Sequence, residues 1–125
     1  MDSGLMVKVL HEGGKHAAVR VSGFLSGDTE MTLISVGDLS HQPRSLRIDT
    51  IHYAIQEKAG IHLLWAMKGT KEPELILTLE SRGKFDFSEF GGLTAPKDWE
   101  GKLILRAFNV DKPKAVFFVL QMEKQ

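Results

Sequence analysis

At 125 residues, with 42% apolar and 26% charged side chains, the chain has the size and composition of one globular domain, residues 1–125. Lys plus Arg equals Asp plus Glu at 16 each, so no net field draws the molecule to nucleic acid or to an anionic membrane. With no cysteine, disulfides, thiolate catalysis and cysteine-ligated zinc are all excluded.

The opening MDSGLMVKVL has Asp2 ahead of a short apolar run and no basic segment, so it does not read as a signal peptide. No apolar run approaches the ~20 residues needed to cross a bilayer. The expectation is a soluble protein of the cytosol, or one assembled there into a larger particle.

From here the dominant period is two, the mark of half-buried strands. Leu5, Val7 and Val9 alternate with Met6, Lys8 and Leu10, until Gly13-Gly14 breaks the run. Ala17, Val19 and Val21 form a second set, closed by Gly23, and Met31, Leu33 and Ser35 a third. Leu46 to Gln56 is rich in Ile, Thr and Tyr and favours a strand over a helix.

Within it, Ile51, Tyr53 and Ile55 alternate with His52 and Ala54; Ile61, Leu63, Trp65 and Met67 follow after Gly60. A hairpin pairing Ile55 with Ile61, Tyr53 with Leu63 and Ile51 with Trp65 puts every apolar member on one side. Gly60 is then the residue to take a positive φ in the loop. Leu75, Leu77 and Leu79 make the next set, then Leu103, Leu105 and Ala107. The last comprises Ala115, Phe117, Val119 and Gln121, after the turn Asp111-Lys112-Pro113-Lys114. The fold class these patterns predict is all-β: a single-domain antiparallel β-sandwich, jelly-roll-like, of about eight strands.

Chemistry-bearing residues form no catalytic set. His11, His16, His41, His52 and His62 include no close ligand pair. His11 and His16 flank the Gly13-Gly14 turn, and His52 and His62 share the outward face of the expected hairpin. Exposed strand histidines are the ordinary reading of all five. Asp86, Glu89 and Asp98 fall near one predicted loop, but nothing selects a facing pair of the kind a glycosidase needs. Their spacing matches no calcium loop. Neither Gly-Gly pair opens a helix or belongs to a phosphate loop. No enzyme activity, metal or cofactor is therefore expected. A carbohydrate-binding module is the alternative function, with Trp99 as its platform: Trp65 lies on an apolar strand face, whereas Trp99 sits between Asp98 and Glu100.

Three of the seven phenylalanines fall in GKFDFSEFGGL, Gly83 to Leu93. Phe85 and Phe87 are two apart and share a strand face; Phe90 is in the opposite phase. The strand must end or bend near Ser88, and Gly91-Gly92 permits a sharp reversal into an anchored loop, Thr94 to Gly101. A loop held by large aromatics suits a fixed interface better than a mobile lid. The candidate interaction residues are Phe90, Gly91, Gly92, Leu93, Pro96 and Trp99.

The same stretch, followed by GKLILRAF and the closing LQMEKQ and preceded by LRIDTIHYAI and GIHLLWAM, resembles the tailed-phage capsid decoration, or cement, proteins. Lys84, Asp86, Phe87, Phe90, Gly91, Gly92 and Leu93 carry the match. Ser81-Arg82 stands where a smaller turn is usual in that family. The resemblance implies a β-sandwich, often trimeric, that binds the outside of an assembled major-capsid lattice at three-fold positions. It implies a virion location, assembly in the host cytoplasm, the major capsid protein as partner, and no contact with nucleic acid or membrane.

Overall fold

The computed structural model describes residues 4–125; the first three residues of the opening segment lie outside the described ones. The strands are β1 (Leu5–Glu12), β2 (His16–Leu25), β3 (Glu30–Ser35), β4 (Leu46–Ile55), β5 (Gly60–Met67), β6 (Glu74–Glu80), β7 (Arg82–Asp86), β8 (Leu93–Thr94), β9 (Trp99–Phe108) and β10 (Lys114–Lys124). Short 3₁₀ turns occupy Val36–Asp38 and Ser88–Phe90. All pairings are antiparallel. The larger sheet runs β1-β2-β10-β4-β7, with β8 also on β4; the smaller runs β3-β9-β5-β6.

The chain passes back and forth between the sheets, so that β2-β10-β4-β7 lies over β3-β9-β5-β6. This is the interleaved order of a jelly roll, with β1 added at an edge. The core lies between the sheets. Val19, Val21, Ile51, Phe118 and Leu120 enter from the larger sheet, and Ile61, Leu63, Leu79, Leu103 and Leu105 from the smaller, all fully buried. Each such side chain contributes about 1.5–3 kcal/mol by leaving water.

Four expectations need correction. First, β4 and β5 form no hairpin: β4 pairs with β10, β7 and β8, and β5 with β6 and β9. The connection arches from one sheet to the other. Ile51, Tyr53 and Ile55 do face the same core as Ile61, Leu63 and Trp65, but across the sandwich. Second, Lys58 rather than Gly60 takes the positive φ, at 71°. Gly60 is needed for closeness, since a Cβ there would lie 2.1 Å from the Phe108 ring.

Third, β10 turns the opposite phase inward. Val116, Phe118, Leu120 and Met122 are buried, while Phe117 and Gln121 are exposed. Fourth, β-bulges shift the phase elsewhere. One between Thr32 and Ile34 lets Leu33 and Ile34 both be buried, and one in β6, where Leu77 and Leu75 pair with the adjacent Leu63 and Leu64, leaves Leu75 53% exposed although Leu79 is buried.

The end of the sandwich near the C-terminus is closed by polar contacts. Lys124 is buried and donates to Glu12 Oε2 at 3.0 Å and to the Ser40 hydroxyl at 3.1 Å. The Ser40 hydroxyl in turn donates to the same Glu12 oxygen at 2.8 Å. This network ties β1, β10 and the segment after the first 3₁₀ turn together. Lys124 and Ser40 hold the Glu12 carboxyl below the usual carboxylate range, the hydrogen bond from Lys124 being the largest cause.

Candidate functional site

The stretch from Gly83 to Leu93 folds as its spacing predicts. β7 pairs with β4, placing Phe85 opposite Ile51 and Asp86 opposite Thr50. Phe85 and Phe87 share a face, and their rings stack at 5.6 Å. Tyr53 extends the stack on the other side of Phe85, also at 5.6 Å. Phe87 is partly buried against the core; Phe85, at its edge, is 37% exposed rather than fully enclosed.

The strand ends at Asp86 because that side chain turns back on the chain. Its Oδ1 accepts from the Ser88 amide at 3.0 Å and from the Ser88 hydroxyl. These bonds, chiefly the hydroxyl's, lower the Asp86 pKa. One 3₁₀ turn follows, with the Phe90 amide donating to the Phe87 carbonyl at 3.0 Å and the Gly92 amide to the same carbonyl at 2.8 Å. Gly91 and Gly92 both have positive φ, 83° and 76°.

The turn is pinned to β4. The Phe87 amide donates to the Asp49 carbonyl at 2.8 Å, and Leu93 pairs with Ile48 in the short β8. Arg47 Nε donates to Asp49 Oδ1 at 2.7 Å, and the same guanidinium pairs with Glu123 on β10. Gly92 sits directly on that arginine: a Cβ there would lie 2.5 Å from Arg47 Cγ and 2.8 Å from Asp49 Oδ1. Two of the three phenylalanines thus anchor the turn. The third, Phe90, is 83% exposed at its tip.

The six candidate interaction residues divide. Phe90, Gly91, Gly92 and Leu93 lie together on the pinned turn, with Gly91 exposed and Leu93 half-buried against the core. Pro96 is half-buried in the following segment. Trp99 does not belong to an exposed loop. It opens β9, is buried, packs edge-on to Trp65 at 5.5 Å, and donates from Nε1 to the Lys102 carbonyl at 2.8 Å. The reason is β9 itself, which begins within the expected loop and turns Trp99 inward. Its ring offers no face to a sugar. Arg47, Asp49 and Tyr53, which fix the turn from β4, carried no signal in the local sequence; only the β4–β7 pairing brings them there.

The other titratable residues are dispersed. His52 is on the outer face of the larger sheet and His62 on the smaller, so the two do not share a face. His62 Nδ1 lies 2.8 Å from the Thr78 hydroxyl, and its ring stacks on Phe108 at 4.4 Å. Asp98 pairs with Lys71, which lowers its pKa. A catalytic acid needs a raised pKa, and both Asp86 and Asp98 move the other way. Among the described residues no group of three or more His, Asp or Glu is placed to hold a metal ion.

No family model matches the chain, and no curated protein matches it. Among solved structures it is similar to KdgF from Halomonas sp., at 14% identity and a TM-score of 0.41, over 99% of this chain and 83% of that one. A likeness this slight carries no functional argument.

Proposed function

We infer that this protein is a non-enzymatic capsid decoration protein: it binds the outside of an assembled tailed-phage capsid as a trimer and bridges major-capsid subunits. The observation that carries the reading is Phe90, a large apolar ring held 83% exposed on a turn fixed from two sides. A phenylalanine left this exposed forgoes most of the about 1.5–3 kcal/mol that full burial against a partner supplies. Aromatic anchors on rigid supports are what protein interfaces use as their energetic centres. The glycines and the Asp86–Ser88 bonds pre-set the turn, so little ordering entropy is lost on docking.

The physical task agrees with this surface. A capsid under internal pressure is weakest at the joints between its subunits. A small rigid domain adds buried area at each joint, and binding the closed form shifts the equilibrium away from rupture. Contacts to several subunits at once reinforce one another. Complementary surfaces suffice, and no reactive group is required. Neutral net charge favours close packing of many copies.

The test is co-sedimentation of the purified protein with assembled shells of the major capsid protein from the same source. Saturable binding that raises the temperature of shell rupture is the expected result, with Phe90→Ala losing most of the affinity while melting like the wild type. Absence of binding to mature shells refutes the reading.

A further inference from the structure

We propose that the outer face of the larger sheet binds single-stranded nucleic acid, its phosphates on a row of basic side chains and its bases on the exposed phenylalanines beside them. This goes beyond the capsid reading and does not rest on it.

The row follows from strand register. Val19, Val21 and Ile51 point into the core, so their neighbours in sequence point out. Lys8 on β1 pairs with Arg20 on β2, Arg20 with Val119 on β10, Val119 with His52 on β4, and His52 with Lys84 on β7. One line of side chains thus crosses the sheet, and all of its members but Val119 are basic. At about 4.8 Å between neighbouring strands, the line is roughly 19 Å long. Arg82 adds a cation on the same face, two residues from Lys84. Lys8, Arg20, Lys84 and Arg82 make no ion pair among the described residues. Lys8 and Arg20 stand directly opposite each other, an arrangement that repels within the fold and that a polyanion relieves.

The carboxylates nearest the row are already engaged. Asp86 borders it beyond Lys84, and its Oδ1 accepts from the Ser88 amide and hydroxyl. Glu123, farther along β10, pairs with Arg47 and Lys15. Other acids that bring the net charge to zero lie elsewhere, Glu74 and Glu80 among them at the two ends of β6 in the smaller sheet. Zero net charge is a sum over the whole molecule, whereas a bound strand meets the local field.

The aromatic neighbours select the ligand. Phe117 is 41% exposed and Phe24 58%, both on this face. Phe117 sits diagonally from Arg20 and from His52, and Phe24 diagonally from Phe117, a relation that spaces residues by about 7–8 Å. Rings beside cations let bases stack while the phosphates are neutralised. A duplex hides its base faces, so the ligand is a single strand. An acidic glycan fits less well, since its hydroxyls need polar partners and the nearby Thr50 and Gln121 side chains bond each other at 2.7 Å. A bilayer also fits less well: the cations run in a line across the sheet, whereas insertion needs the apolar groups to lead.

The experiment is fluorescence anisotropy of the full chain with a labelled oligothymidylate of about 15 nucleotides over a salt series. Contacts from Lys8, Arg20, Lys84 and Arg82 give a slope of about −2.8 in log affinity against log salt, a loss of about 50-fold between 50 and 200 mM. Lys8→Gln with Lys84→Gln is expected to reduce that slope by about 1.4. Lys97→Gln with Lys112→Gln, at exposed positions outside the sheet, is expected to leave it unchanged. Phe117→Ala is expected to weaken binding by about 5- to 150-fold while keeping the slope. A dichroism melt close to the wild type's checks that each variant is folded. No binding at the lowest salt, equal affinity for a duplex, for polyglutamate or for phosphatidylserine vesicles, or a Phe117→Ala protein that binds like the wild type overturns the proposal. So does a control pair that lowers the slope as much as the Lys8 and Lys84 pair. Shell binding by a protein that ignores the oligonucleotide would uphold the decoration reading alone, so the two fail separately.

Discussion

Gly92→Ala probes the pinned turn most directly, with Gly91→Ala as its matched control. Both residues have positive φ, at 76° and 83°, so an added Cβ costs roughly 1–2 kcal/mol in either. The surroundings differ. At Gly91 nothing lies within 4 Å of the new atom, whereas at Gly92 Arg47 Cγ would be 2.5 Å away. The arginine must move, and with it the bonds to Asp49 and Glu123 that tie β4 to β10. Losing a partly exposed ion pair adds up to about 1 kcal/mol, and repacking of the aliphatic stem adds to that. The total for Gly92→Ala is about 2–4 kcal/mol, against about 1–2 for Gly91→Ala. For a domain of this length the unfolding entropy makes 1 kcal/mol worth about 4 °C in Tm. Calorimetry is therefore expected to show a fall of about 8–16 °C for Gly92→Ala and about 4–8 °C for Gly91→Ala. Equal falls in the two variants would refute the claim that Arg47 contact, beyond backbone conformation, holds the turn.

Phe118→Ala empties a fully buried site between the sheets and is expected to cost about 3–5 kcal/mol in urea unfolding; Phe117→Ala, one residue away on the outer face, is expected to cost under about 1. The Glu12 carboxyl titrates below its unfolded value because Lys124 and Ser40 bond its charged form. Its stabilisation is therefore present above the unfolded value near pH 4.3 and is lost as pH falls through the lower folded value. Glu12→Gln is expected to flatten this acid limb of stability against pH, and an unchanged slope would show that the network is not coupled to folding. Trp65 and Trp99 are both buried, so their emission is expected to be blue-shifted, weakly quenched by acrylamide and unmoved by added oligosaccharides; strong quenching in the folded protein would place a ring at the surface.

Much of the fold was legible because a strand's side-chain period is two. The alternation at Val19 and Val21, at Ile51 to Ile55 and at Leu103 to Ala107 marked true core faces, and the Phe85–Phe87 spacing with Gly91-Gly92 located the bend at Ser88. Period reports which face is apolar where the two faces differ. In β10 they do not: Val116, Phe118 and Leu120 compete with Ala115, Phe117 and Val119, and only the opposing sheet selects the first set. The bulge by β6 likewise leaves Leu75 outside although it alternates with Leu79, since one extra residue reverses the phase that follows.

Pairing was the tertiary structure's decision. The apolar faces of β4 and β5 meet equally well side by side in a hairpin or across a sandwich, and local sequence is the same for both. The arch prevails where β10 and β7 are available to satisfy the backbone of β4, and β9 and β6 that of β5. The same long-range pairing puts Arg47 beneath Gly92 and buries Trp99 against Trp65. The sequence by itself determined the strands, most of their inward faces and the turn that exposes Phe90. Which strands became neighbours, and hence which apolar residues were left for a partner, depended on contacts between residues far apart in the chain.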